Sequence, residues 1–257
     1  MAVNVILLAG AANTGPLKDV SEVVNEALID IGGKPMVQYV VDGLRQSKEV
    51  RRIVIVAPPG ELEPYVAGEG LEFVPSAGHI VENVLAASRA LPKDEQILIA
   101  TCDIPLINGE IIDGLIQLCR QKPADIYYPI VEKSVGEYKY PNVKRTYVYL
   151  REGTFTGGNL FLVNPAIVER SAPKAKPFLD FRKNPLKMVR LLGLGFLIRY
   201  LVLKNLTLAQ LERKVSTMWD LKGAVIICPW PEVGIDVDKP SDLQLAREVL
   251  VGPSAPA

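Results

Sequence analysis

The chain has 257 residues, 49% of them hydrophobic and 23% charged, with 29 basic residues against 29 acidic ones. That composition excludes a disordered or coiled-coil protein, and the zero net charge gives no reason to expect a nucleic acid or an anionic membrane as partner. No apolar stretch reaches the ~20 residues a bilayer span needs, and three cysteines without paired spacing fit a reducing, cytoplasmic compartment.

In chain order, residues 5–9 form an uncharged apolar run, expected to be a strand buried on both faces. The run is too short for a signal peptide and lacks a basic start. The small-residue loop 10–15 follows, where backbone N–H groups can approach phosphates or a base edge. A plain tight turn fits the loop equally well, and Gly10, Ala12 and Gly15 do not reproduce the dinucleotide fingerprint. Residues 16–30 are polar, and the turn Gly32-Gly33 leads to Lys34 and to Pro35, which opens a helix running to about Arg45. Met36, Val40, Val41 and Leu44 make its apolar face.

Residues 52–57 and 71–74 read as strands and residues 80–91 as a helix, with the small polar loop Pro75-Ser76-Ala77-Gly78-His79 before it. The run Gln96 to Thr101 is a further buried strand. It ends at Cys102-Asp103, and Pro105 stops continued pairing. An acid at the carboxyl end of a buried parallel strand sits where open α/β sheets hold their ligands, so Asp103 is the candidate centre of a site. Cys102 reads as a small apolar filler. A helix over residues 109–121 completes βα-type alternation, which implies a three-layer α/β/α arrangement around a mostly parallel sheet.

In the second half, residues 124–131 and 146–150 read as strands joined by a lysine-bearing loop. Gly157, Gly158 and Asn159 form a turn suited to close approach by a polar ligand, or a hairpin corner. Residues 165–221 read as a helical insertion in a single domain spanning residues 1–257. Within it residues 186–203 are strongly apolar but carry Lys187, Arg190 and Arg199, which fits a packing helix, a homodimer face or an interfacial helix. Residues 224–228 are a strand, and Asp236-Val237-Asp238-Lys239-Pro240-Ser241-Asp242-Leu243 leads into a final helix with Asp242 as its expected cap.

Four landmarks in this order and spacing carry a resemblance: Leu8-Ala9-Gly10, Gly33-Lys34-Pro35-Met36, Cys102-Asp103-Ile104-Pro105-Leu106, and the closing Asp-rich motif. Together they resemble nucleotidyltransferases of the type-A glycosyltransferase-like fold, such as sugar-phosphate nucleotidyltransferases and the molybdenum-cofactor guanylyltransferase. The resemblance implies a Rossmann-like fold and transfer of a nucleoside monophosphate from a nucleoside triphosphate to a small phosphorylated or cofactor-like acceptor, with release of pyrophosphate. It implies Mg2+ held by Asp103 with Asp238 or Asp236, and phosphate neutralisation by Lys18 and Lys34. Leu8, Ala9, Gly10, Ala11, Ala12, Asn13, Ser76, Gly78, Asn83 and Asp103 would meet the nucleotide, and Gly157, Gly158 and Asn159 the acceptor. His79 would be a base-contacting or merely solvated imidazole.

Two departures matter. Only Lys18 follows the glycine loop as a cation, and Asn25-Glu26 stands where the family has Pro-Lys. A glutamate there would repel a triphosphate. The competing readings are a binder of nucleotides or sugar nucleotides without turnover and a type-A glycosyltransferase. The latter would want a second aspartate two residues after Asp103, where Pro105 stands instead.

Overall fold

The computed structural model describes residues 2–66, 68–181, 193, 195, 198, 199 and 206–252. After β1 (Val3–Leu8) comes a short antiparallel hairpin, β2 (Asp30–Ile31) with β3 (Lys34–Pro35), and then α1 (Met36–Gln46). The chain continues through β4 (Val50–Ala57), β5 (Leu71–Pro75), α2 (Ile80–Ser88), β6 (Gln96–Thr101) and α3 (Gly109–Arg120). The strands of this half pair in parallel in the order β5-β4-β1-β6.

Their apolar runs are continuous because each strand is covered twice. Val5 and Leu7 of β1, Ile53 and Ile55 of β4, and Leu98 and Ala100 of β6 face the cluster that takes Val40, Val41 and Leu44 of α1 and Ile112, Leu115 and Ile116 of α3. The alternate residues Ile6, Val54, Val56 and Ile97 face the opposite cluster with Ala87 of α2. Period-two alternation thus serves two helical layers at once.

Glycine lets α1 and α3 approach closely: a Cβ at Gly43 would stand 2.5 Å from the Ile107 carbonyl oxygen, and one at Gly109 equally near the Gln46 backbone. Asn108 starts α3 by accepting the Ile111 N–H at 3.0 Å.

The other half is built around β7 (Ile126–Glu132), followed by α4 (Lys133–Lys139), β8 (Val148–Leu150), β9 (Gly153–Gly157) and β10 (Leu160–Val163). β10 lies antiparallel between β6 and β7 and so joins the two halves. β9 pairs with β7 and β8, while β11 (Gly223–Cys228) runs parallel along the other edge of β7. The parallel pairings are the longer ones, so the sheet is mostly parallel despite this inserted antiparallel strand.

Three helices complete the described chain: α5 (Pro165–Phe181), α6 (Leu208–Trp219) and α7 (Pro240–Leu250). The segment expected as a lysine-bearing loop contains α4, which buries no residue and therefore carries no apolar period to read. The apolar segment 186–203 lies outside the described residues except at 193, 195, 198 and 199. Among the described residues, no helix is long and apolar enough to cross a membrane.

Candidate nucleotide and metal site

β6 ends beside β1, and the Cys102 N–H extends their pairing by donating to the Leu8 carbonyl at 3.1 Å. Cys102 itself is buried, and burial holds its thiol well above the usual range, as a filler role requires. Asp103 follows at the carboxyl edge of the sheet. Its carbonyl accepts the Val237 N–H at 2.8 Å, which ties the closing motif to the end of the central strand. Val237 and Ile235 are buried with Leu243 and Ala246 of α7 against Leu17, Ile29 and Leu106, so apolar packing fixes the returning segment.

That clasp brings the carboxylate of Asp103 to those of Asp236 and Asp238 from the far end of the chain. Oxygens of Asp103, Asp236 and Asp238 lie within 4.8 Å of one another, with Asp103 and Asp236 half-buried and Asp238 at the mouth. The Thr101 hydroxyl donates to Asp103 Oδ1. Burial, with the charge of Asp238 added, raises the Asp103 carboxyl above its ordinary value despite that bond. Burial pushes Asp236 up to about 7, and the charges of Asp238 and Asp103 add to this against the opposing Arg145. Arg145 donates to the Asp236 carboxylate and, at 2.6 Å, to its backbone carbonyl. Three mutually repelling oxygen donors are the set that suits a hard divalent cation such as Mg2+.

Beside this cluster the loops after β1 and β5 meet. Ala9 N–H donates to Val56 at 2.9 Å, Ser76 N–H to Ala57 at 2.9 Å, and a Cβ on Gly10 would come 3.2 Å from Ser76 Cβ. Gly10, Ala11 and Ala12 are exposed, Leu8 is half-buried, and Gly78 takes a left-handed φ of 84° with open space around it. This is the carboxyl end of the parallel strands, where ligands bind in open α/β sheets.

Two residues expected to meet the nucleotide also brace the loops around it. Asn13 is buried and spends its amide hydrogens on the Ser21 and Val23 carbonyls at 2.8 and 3.1 Å. Asn83 is buried too, and its Oδ1 accepts the Ala77 N–H at 2.6 Å, shaping the 76–79 turn. His79, expected as a base-contacting or solvated imidazole, caps α2: Nδ1 accepts the Val81 N–H at 3.1 Å and Nε2 lies 3.0 Å from Asp180. Amides and imidazoles serve turns as readily as ligands.

The cations are sparse. Lys18 is exposed on a 3-10 turn, Pro16–Asp19. Lys34 is engaged away from the loops, with Nζ 2.8 Å from Asp42 and 3.8 Å above the Tyr39 ring of α1. Asn25 bonds the Ala9 carbonyl at 3.0 Å and accepts the Ala27 N–H at 2.9 Å, bracing the glycine loop. Glu26, next to it, faces the acid cluster: burial raises its carboxyl first, followed by repulsion from Asp103 and Asp238. Asp242, expected as a cap, stands in the third position of α7 and reaches back to the Asp238 N–H at 3.3 Å, while Lys239 occupies the cap position.

A cavity of about 250 Å³ opens next to Asp236 and Asp238. Gly157 and Asn159 line it, together with Lys144, Arg145, Thr146 and Lys239. Gly158 does not; it is buried, and a Cβ there would meet Val233 at 2.7 Å, so this glycine serves packing. Arg145, Lys144 and Lys239 are the site residues that sequence reasoning missed. The dibasic pair Lys144-Arg145 and the lysine inside the closing motif were the available signals.

A glycine loop, a carboxylate trio and a polar cavity thus adjoin one another at the carboxyl edge of the parallel strands. Residues 5–182 match the MobA-like NTP transferase domain, and the chain belongs to that family. A hypothetical transferase from Thermus thermophilus superposes with a TM-score of 0.83 at 33% identity, covering 95% of this chain and 100% of that one. A CMP:2-keto-3-deoxy-manno-octonic acid synthetase complexed with CTP has a TM-score of 0.64 over 98% of this chain and 99% of its own, and at 14% identity it shares the fold alone. The bifunctional protein GlmU of Cellvibrio japonicus is 30% identical over 119 residues, 44% of this chain; the match spans 25% of that longer protein.

Proposed function

We propose that the chain transfers a nucleoside monophosphate from a nucleoside triphosphate to a small phosphorylated or cofactor-like acceptor, in a Mg2+-dependent reaction that releases pyrophosphate. The observation that carries this reading is the bond from Val237 N–H to the Asp103 carbonyl, because it assembles the three carboxylates beside the glycine loop. An acceptor oxygen attacks the α-phosphorus, the bond to the β-bridging oxygen breaks, and pyrophosphate leaves with the electron pair. A phosphate oxygen brings no proton to remove, which is consistent with a site lacking a free histidine among the described residues.

Asp103, Asp236 and Asp238 would hold Mg2+, which when bound offsets phosphate charge. Gly10, Ala11, Ala12 and Gly78 would seat the nucleotide by backbone contact, with Leu8, Ala9 and Ser76 holding the loops behind them, and Lys18 would screen the phosphates. The CTP in the synthetase of the same fold makes CTP the first triphosphate to try. Three buried free cysteines support a reducing, cytoplasmic setting.

A second reading, nucleotide binding without turnover, is favoured by one observation: Glu26 faces Asp103 where a cation would help. A thermal-shift panel of the four nucleoside triphosphates, with and without Mg2+, tests both. A ligand at 100 times its Kd stabilises the fold by about 2.7 kcal/mol, so one or more triphosphates should raise Tm only with Mg2+. No shift with any of them refutes both readings, and a shift without pyrophosphate release from any acceptor favours the second.

A further inference from the structure

We propose that the cavity beside Asp236 is an anion subsite, in which Lys144, Lys239 and Arg145 hold a phosphate or carboxylate group of the acceptor. This deepens the transferase reading and rests on it. The cavity of about 250 Å³ lies below the roughly 300–1,000 Å³ of drug-sized pockets, so it suits one small polar group and its carrier rather than a second nucleotide.

The donors are only partly spent. Arg145 is nine-tenths buried, and although Asp236 takes both ends of its fork, the buried Nε has no partner. A buried N–H left unpaired is costly, so Arg145 carries unmet donor capacity on the wall of this cavity. Lys239 Nζ has only long contacts, 3.4 Å to the Lys144 carbonyl and 3.7 Å to Asp242 Oδ1. The Lys144 ammonium is exposed and has no bonded partner among the described residues. Three basic residues share the cavity wall with Asp236, Asp238 and Asp242, so formal charge there cancels in the bare protein. A divalent cation on Asp236 and Asp238 leaves the wall net positive, and the subsite becomes attractive to an anion only once the metal is present. This order would couple acceptor entry to metal loading.

The test titrates the full chain, with and without Mg2+, with inorganic phosphate, acetate and, as a neutral control, glycerol, by calorimetry or phosphorus NMR. The same titrations are run on Lys144→Gln/Lys239→Gln. Phosphate or acetate is expected to bind the Mg2+-loaded wild type at least tenfold more tightly than the metal-free protein, and the double variant is expected to lose at least tenfold. The stronger of the two anions names the source, phosphomonoester or carboxylate. Three results would overturn the subsite: no anion binding by the Mg2+-loaded wild type, equal binding by the double variant, or a loss of Mg2+-triphosphate affinity in that variant equal to its loss of anion affinity. The underlying transferase reading fails separately, on absence of any Mg2+-dependent triphosphate binding by the wild type.

Discussion

Glu26 and Asp236 are the residues at which the electrostatics of the site can be tested most sharply. Glu26 is near enough to feel the charges of Asp103 and Asp238, so its own charge adds to the repulsion of a triphosphate from the metal-free site. Glu26→Lys should therefore allow triphosphate binding without Mg2+, and Glu26→Gln should weaken the metal requirement less. Isothermal titration in EDTA checks this, and identical metal dependence in all three proteins would show that Glu26 does not set it. Asp236 binds its proton up to about 7 when folded, against an ordinary 3.8. Between those values the folded chain holds more protons than the unfolded one, so without metal this group makes stability fall as pH rises. Groups with lowered values, such as Glu49 and Glu95, act below 4.5 and leave that window clear. Denaturation curves in EDTA between pH 5 and 8 should slope downward for the wild type and less so for Asp236→Asn. Mg2+ binding near pH 6 should release about one proton per ion, visible in buffers of different ionisation heat.

Elements made of doubly buried strands were legible, because a run such as Gln96–Thr101 needs no partner to announce itself. Asp103 was legible for the same reason, being the first charge after such a run. Arg145 was not, since its partner Asp236 lies 91 residues away and its own segment has no apolar rhythm. Nor could Asn13 and Asn83 be sorted from ligand contacts, since an amide shows its direction only once the turn around it is folded. The antiparallel placement of β10 between β6 and β7 depends on pairing across the whole chain and left no local mark. The contact of α1 with α3 makes a prediction of its own. Gly43→Ala puts a Cβ 2.5 Å from a backbone oxygen that cannot move cheaply, and should cost about 1–3 kcal/mol by urea denaturation. An unchanged midpoint would mean the two helices are not held at this distance.

At the scale of the molecule, the chain leaves the carboxyl edge of its parallel sheet at Asp103, builds the inserted half, and returns to the same edge at residues 236–238. The intervening half and the closing motif together line the cavity beside Asp236, while the loops after β1 and β5 lie on the other side of the carboxylates. In the proposed reaction nucleotide and acceptor would approach from two halves of one sheet, with the carboxylates between them. Pyrophosphate release, measured with the triphosphate that stabilises the chain and a panel of phosphorylated and carboxylated acceptors, tests this division most directly when wild type and Asp103→Asn are compared. Asparagine keeps the shape and removes the charge. Acceptor-dependent release should occur in the wild type and fall by at least about 100-fold in the variant, whose melting temperature stays near that of the wild type. Equal release from both proteins would contradict the carboxylate site.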